Sequence, residues 1–301
     1  MKQENDSPSV VSLVRGDDRY DNVRQSLDAI ADTIDLRGVR RLLIKPNLVH
    51  AEKQLASTHA DAIRALLDFL REREAGHIVI AENTAEGDTK DAYRNFGYDH
   101  LLDEYDIELV DLADEDWVES TIYDDDFNLL PIRLARRIVE SDYRISVNPI
   151  KTHNCVLVTL AIKNLAIGAL KERTTFHQGY PAMNRSLLRL AQMTAPHLSV
   201  LDGFIGMEGD GPGSGDPVDL RVAVAGVDPV AVDTIGTLLM CHDPGQVGYL
   251  IHCAEAGLGE GDPEKIELRG NASIAEARRE FCRHPDFEKQ LGWCASYDSK
   301  K

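Results

Sequence analysis

Positive charge is scarce in this chain relative to its opposite. Of 301 residues, 51 are Asp or Glu and only 33 are Lys or Arg, so the formal net charge is −18. Binding to a nucleic-acid backbone relies on Lys and Arg to displace counterions, so no nucleic acid is expected as a partner. The same deficit argues against an anionic membrane surface. No apolar run approaches the roughly 20 residues needed to cross a bilayer. The first residues, MKQENDSPS, are polar and contain no apolar signal core, which leads to the expectation of a cytoplasmic protein. Acidic charge of this size is expected to serve solubility, with adaptation to a salty host as the alternative.

Cysteine is also sparse. The five are Cys155, Cys241, Cys253, Cys282 and Cys294, and no two have the C-x-x-C spacing of a metal or redox motif. Free thiols are expected, with no iron–sulfur cluster in this chain. Lysine is rarer than arginine, at 11 against 22. Two of those lysines nevertheless fall in one apolar stretch, Val147 to Gly168, which sets Lys151, His153, Lys163 and Asn164 among aliphatic residues. A third, Lys45, sits in the related phrase Ile44-Lys45-Pro46-Asn47. Lys and Asn are rarely buried without a partner, so lysine in an apolar frame points to a polar pocket.

An apolar fraction of 43% is enough for a substantial core. Residues 1–9 read as a flexible tail, and Val10 to Val14 as a first strand. Val23, Leu27, Ile30 and Ile34 lie on one helical face. Arg41 to Ile44 reads as a buried strand stopped by Pro46. Ile63, Leu66, Leu67 and Leu70 predict a second helix, and His77 to Ala81 the next strand. A helix is expected over Asp88 to Leu102, a strand over Ile107 to Leu112, and an acidic excursion or edge hairpin over Asp114 to Asn128. Leu134 and Ile138 are assigned to a helix leading into a strand at Arg144 to Val147. Thr159 to Leu170 reads as helical, as does the segment around Leu187 to Met193. Leu198 to Leu201 is a strand that Asp202-Gly203 is expected to end. Arg221 to Ala225 is another, followed by the helix start Asp228-Pro229. Gln246 to Ala256 reads as a helix, and Lys265 to Leu268 as an edge strand.

Strands alternating with helices predict an α/β fold: a mostly parallel sheet with helices on both faces, and a Gly-rich lid loop. The expected organisation is one α/β domain over 10–270 and a C-terminal helical tail over 271–301. Ligands of such sheets bind at the carboxyl ends of the strands. Lys45 and Asn47 follow one strand, Glu82 and Asn83 a second, and Asn148, Lys151 and His153 a third. Asp202 follows a fourth and Asp228 a fifth. One crevice is expected to collect them.

Several spaced phrases also recur together. They are Lys45-Pro46-Asn47; Lys151-Thr152-His153 with Thr159 and Lys163-Asn164-Leu165; Asp202-Gly203 with Met207-Glu208-Gly209 and Gly211-Pro212; and Asp228-Pro229-Val230-Ala231-Val232-Asp233. In this order they resemble the family catalogued as domain of unknown function 362, over roughly residues 40 to 260. Some members of that family carry a ferredoxin-like iron–sulfur segment, and some a twin-arginine export signal. This sequence has neither, so the resemblance does not imply electron transfer by a built-in cluster.

The residue types suggest specific chemistry. Lys45, Lys151 and Lys163 suit a cationic pocket for a carboxylate or phosphate, with Asn47, Glu82, Asn83 and Asn164 as ligand-binding neighbours. His153 and Lys151 are the candidate acid–base pair, with Glu208 as a further candidate base. His153, His177, Asp202 and Glu208 are a tentative ligand set for a divalent metal such as Zn, Fe or Mn. The loop with Gly209, Gly211 and Gly213 can offer backbone N–H groups to an anion, but lacks the Walker Gly-Lys-Ser/Thr ending. The expected function is an enzyme of unknown reaction on a small anionic molecule, with a metal or without one. The alternative is a non-catalytic binding or redox-accessory protein that serves an iron–sulfur partner protein.

Overall fold

The computed structural model describes residues 8–294. Eleven strands occur among them: β1 (Ser9–Arg15), β2 (Leu42–Lys45), β3 (Ile78–Glu82), β4 (Ile107–Asp111), β5 (Trp117–Tyr123), β6 (Leu129–Ala135), β7 (Tyr143–His153), β8 (Leu157–Thr159), β9 (Leu198–Glu208), β10 (Asp216–Gly226) and β11 (Ile266–Gly270). The α-helices are α1 (Arg19–Asp28), α2 (Ala60–Arg71), α3 (Thr89–Asn95), α4 (Arg136–Val139), α5 (Ala161–Gly168), α6 (Tyr180–Thr194), α7 (Pro229–Leu239), α8 (Gly248–Glu255), α9 (Ile274–Ala277) and α10 (Phe287–Gln290).

Strand residues alternate between two cores, as the pleat requires. Leu42, Ile44, Ile78, Ile80, Ile145 and Val200 pack with α1, α2 and α3. Leu43, Val79, Ala81, Ile150 and Leu201 pack with α5, α6, α7 and α8. A sheet buried on both faces needs apolar residues at successive positions, which is why its strands read as short continuous apolar runs. Nine strands form this sheet, in the order β11-β1-β10-β9-β7-β2-β3-β4 with β8 beside β7. The neighbours β4, β3, β2, β7 and β9 run parallel, and β10 is antiparallel to both β9 and β1. The fold is therefore the expected α/β class. β5 and β6 form a separate antiparallel hairpin over the acidic excursion.

Several boundaries differ from the sequence reading. The expected helix over Asp88 to Leu102 breaks at Gly97, which adopts φ 74°, and a short 3-10 turn from Asp99 to Asp103 follows. Leu134 belongs to β6 rather than to a helix. β7 runs six residues past Val147 and through Pro149. Its register against β9 shifts between Pro149 and Lys151, so the missing proline N–H falls where the ladder is already interrupted. β9 likewise does not stop at Asp202-Gly203, because antiparallel β10 pairs with it as far as Glu208. Gly203 is a packing glycine: a Cβ there would lie 2.6 Å from Val222 Cγ2 and 2.8 Å from Ile150 Cδ1.

Ser9, assigned from sequence to the N-terminal tail, begins β1, and residues 1–7 of that tail lie outside the described residues. The C-terminal segment holds only the short helices α9 and α10 and a 3-10 turn, and residues 295–301 lie outside the description. No helix among the described residues is long and apolar enough to cross a membrane.

Candidate functional site

β2, β3 and β7 lie side by side, and their carboxyl ends open on one cavity of about 320 Å³. β2 brings Lys45 and, just past its end, Asn47. β3 brings Glu82 as its last residue. β7 brings His153, and the β7–β8 hairpin then turns the chain into α5, which carries Lys163 and Asn164. The loop between β9 and β10 contributes Gly211 and Gly213, and the segment after α5 contributes Arg173 and His177.

Helix α5 has no side-chain cap of its own. Its first amides are met instead by Asp233 of α7, whose Oδ1 accepts from Ala161 N at 2.8 Å and Oδ2 from Ile162 N at 3.1 Å. The free N–H groups at a helix start need such acceptors. This accounts for a carboxylate inside an apolar helix. Burial raises Asp233 to about 7, although both amide bonds oppose the shift.

The charges behind the cavity wall are buried and largely paired. Lys45 Nζ lies 2.5 Å from Glu82 Oε1, and both side chains are no more than 2% exposed. Burial lowers Lys45 to about 8, against the pull of Glu82. The Glu82 oxygens also accept from Leu48 N and Asn83 N, each at 2.7 Å. Gly168, the last residue of α5, gives Lys45 its passage: a Cβ there would stand 2.7 Å from Lys45 Nζ and closer still to Cε. Lys151 is fully buried behind this wall. Its ammonium donates to Asn47 Oδ1 at 2.6 Å and to Ala56 O at 2.8 Å. Asn47 donates in turn to Asn164 Oδ1 at 2.9 Å, and Asn164 to Ser146 Oγ at 3.0 Å. Lys151 therefore holds Asn47 in place and does not line the cavity.

Lys163 and Arg173 are less fully engaged. The Lys163 side chain is 8% exposed and has no hydrogen-bond or ion-pair partner among the described residues. Burial, aided by Arg173, lowers it to about 7. Arg173 donates to Asn83 O and lies 3.8 Å from Glu82, but its Nε is buried with no partner.

His153 is fixed in one tautomer. Its Nδ1 accepts from Cys155 N at 3.0 Å, so in the neutral ring the proton sits on Nε2. Burial holds its pKa well below the usual imidazole value, and the cations Lys163 and Lys151 add to the effect. His153 thus presents an N–H donor and no free basic nitrogen. A neutral imidazole held this way offers Nε2–H to the cavity while Nδ1 is occupied by the Cys155 amide.

Of the residues singled out from sequence, Lys45, Asn47, Glu82, His153, His177, Lys163, Asn164, Gly211 and Gly213 line the cavity. Lys151, Asn83, Gly209, Asp202 and Glu208 do not. Asp202 remains within β9, where its Oδ1 takes Nε of Arg19 at 3.1 Å. Glu208 Oε2 accepts from Cys282 N at 2.7 Å. Asp228 caps α7 through Val230 N and Ala231 N and also holds Ser9. The tentative metal set is therefore dispersed. Among the described residues, no three His, Cys, Asp or Glu side chains are grouped to hold a metal ion. The five cysteines are free thiols. Arg173 and Gly168 were not picked out from sequence. Arginine is common in this chain, and nothing near Arg173 distinguishes it.

The fold and site define a class: a mixed, mostly parallel α/β sheet with a cation-lined cavity at the carboxyl ends of its strands. Residues 42–237 match the model of the family described as domain of unknown function (DUF362), and the chain belongs to that family. A thylakoid-associated protein of Synechocystis sp. is 28% identical over 235 residues, 76% of this chain and 70% of that protein. Among solved structures, a lactate racemase apoprotein from Thermoanaerobacterium thermosaccharolyticum shows a TM-score of 0.48 at 14% identity, over 75% of this chain and 56% of that one. A Thermotoga maritima protein shows 0.39 at 14% identity, over 64% and 52%. The chain thus spans about half the length of these two structures.

Proposed function

We propose that this protein is a small-molecule enzyme whose ligand is a compact anion, a carboxylate or a phosphate, bound at the carboxyl edge of the sheet. One observation carries the reading: Lys163, which has no partner among the described residues, and Arg173, whose only counter-charge is Glu82 at 3.8 Å and whose Nε makes no hydrogen bond, lie on one cavity wall. Burying a charge without a counter-charge is costly, and a bound anion removes that cost. His153 adds a neutral N–H donor for a ligand oxygen. Asn47 and Asn164, tied together and anchored by Lys151, form a rigid polar floor. The loop holding Gly211 and Gly213 covers the site as a lid. Its Asp210, which also lines the cavity, engages His284 Nε2 at 3.2 Å. A divalent metal forms no part of the reading, because only His153 and His177 of the four expected donors reach the cavity.

The volume fits a small organic acid or inorganic phosphate. Isothermal titration calorimetry with inorganic phosphate and a panel of two- to four-carbon carboxylates tests the proposal. A saturable exothermic signal is expected for the wild type, weakened at least about tenfold in Arg173→Gln, a loss of roughly 1.4 kcal/mol. Failure of every anion in the panel to bind would remove the proposal.

A further inference from the structure

The three buried lysines near the cavity differ in what they hold. Lys45 has Glu82, and Lys151 has Asn47 and Ala56 O. Lys163 has neither a carboxylate nor a hydrogen-bond acceptor, and its side chain lies on the wall of the cavity. The groups around it act together. Burial and then Arg173 lower its pKa to about 7, with Lys45 adding to the effect and Cys155 and Glu82 opposing it. Titrating near 7, an amine that faces a small cavity with no partner among the described residues offers a lone pair in part of its population near neutral pH, which is the condition for a lysine nucleophile.

We propose that Lys163 Nζ forms a Schiff base with the carbonyl carbon of a small oxo acid, a molecule that joins an aldehyde or ketone to a carboxylate or phosphate. This rests on the anion-binding reading above and narrows its substrate class. The acid group takes the Arg173 guanidinium on the cavity wall, and His153 Nε2–H donates to an oxygen of the ligand. The amine lone pair adds to the carbonyl carbon, and the π electrons move to oxygen. One amine proton passes to that oxygen, giving a neutral carbinolamine. The Lys45 ammonium then protonates the hydroxyl, which leaves as water while the nitrogen lone pair forms the C=N bond. The products are a protonated imine, one water and a neutral Lys45, which regains its proton from solvent. Charge is conserved, and no oxidant or reductant is required.

Borohydride trapping provides the test. The full-length protein is incubated separately with pyruvate, glyoxylate, and lactate as a carbonyl-free control, each with sodium cyanoborohydride, then analysed by intact mass and peptide mapping. One reduced adduct per chain is expected with an oxo acid and none with lactate. It should map to Lys163 and form at least about tenfold faster than at any surface lysine. Lys163→Arg should lose the adduct while retaining calorimetric binding of the same acid. Because the adduct map comes from the wild type, it stands even if that variant folds poorly. If the anions bind but Lys163 is not labelled, or is labelled no faster than surface lysines, the Schiff base is wrong and the anion site stands. If no anion binds and no adduct forms, both readings fail.

Discussion

The two ends of strands β2 and β3 each border a cavity of about 320 Å³, and both cavities are rich in charge. At the amino end, Arg41 lies 2.8 Å from Asp142, Arg136 2.8 Å from Glu140, and Arg137 2.6 Å from Glu115. Those side chains remain between a quarter and two-thirds exposed. At the carboxyl end, Lys45, Lys151 and Glu82 are at most 2% exposed, and Lys163 has no partner. Size and charge are thus shared, while burial and pairing are not. Water already solvates the amino-end pairs, so a ligand there would gain little. At the carboxyl end the charges are withdrawn from solvent and one cation lacks a counter-charge among the described residues, so a ligand has a charge to complete.

The largest expected effect comes from Glu82→Gln. It leaves Lys45 buried without its counter-charge, and breaking such a pair costs about 3–5 kcal/mol. Urea denaturation followed by circular dichroism measures it. A loss no greater than that of Glu140→Gln at the amino end would erase the distinction between the two ends.

Gly168→Ala comes next. The added methyl meets Lys45 Cε and Nζ, and Lys45 is tied to Glu82 and cannot swing clear. Overpacking of this kind costs about 1–3 kcal/mol, read as a lower thermal midpoint. Anion affinity should fall as well, because the ammonium is displaced on the cavity wall.

The pH dependence is smaller and has a definite sign. Lys163 titrates near 7 in the folded protein against 10.5 ordinarily, so between those values the unfolded chain binds more protons. Stability from this group therefore rises as pH climbs from about 7 towards 10.5. Asp233 titrates near 7 when folded against 3.8 ordinarily, so between 3.8 and 7 the folded state binds more protons. Stability from this group falls as pH rises through that window. Buried Lys45 and Lys151 add to the upper slope and Asp202 to the lower, so unfolding free energies measured across pH should show a shallower upper slope in Lys163→Met and a shallower lower slope in Asp233→Asn. Slopes unchanged from the wild type in both variants would mean that these groups are ordinary.

The smallest effect belongs to Glu140→Gln. Its pair with Arg136 is an i,i+4 contact with both side chains nearly half exposed. Such pairs contribute about 0.3–0.5 kcal/mol, and this one should also weaken in high salt. A loss above about 2 kcal/mol would show that exposure does not separate the two ends.

The buried lysines at and behind the cavity were legible because lysine is rare and these three sit in apolar phrases, which a surface lysine does not need. Arg173 was not legible. It lies in a short 3-10 turn, in a chain with twice as many arginines as lysines, and only the approach of β3 brings it to Glu82. Asp202 and Glu208 were misplaced for a related reason. Asp-Gly reads locally as the end of a strand, but the β9–β10 ladder continues through it and carries both carboxylates to other partners.

The sequence by itself determined the α/β class, the apolar runs of a sheet covered on both faces, and the cap at Asp228. These follow from period, propensity and capping chemistry, which act over a few residues. Only the tertiary structure decided which charges are paired. Lys45 finds Glu82 across neighbouring strands, and Lys151 finds Asn47 across 104 positions of chain. Asp233 finds the start of α5 from another helix, and Lys163 finds nothing. A charge's partner is set by strand order and helix packing, and those depend on how distant segments share a core, which no local pattern encodes.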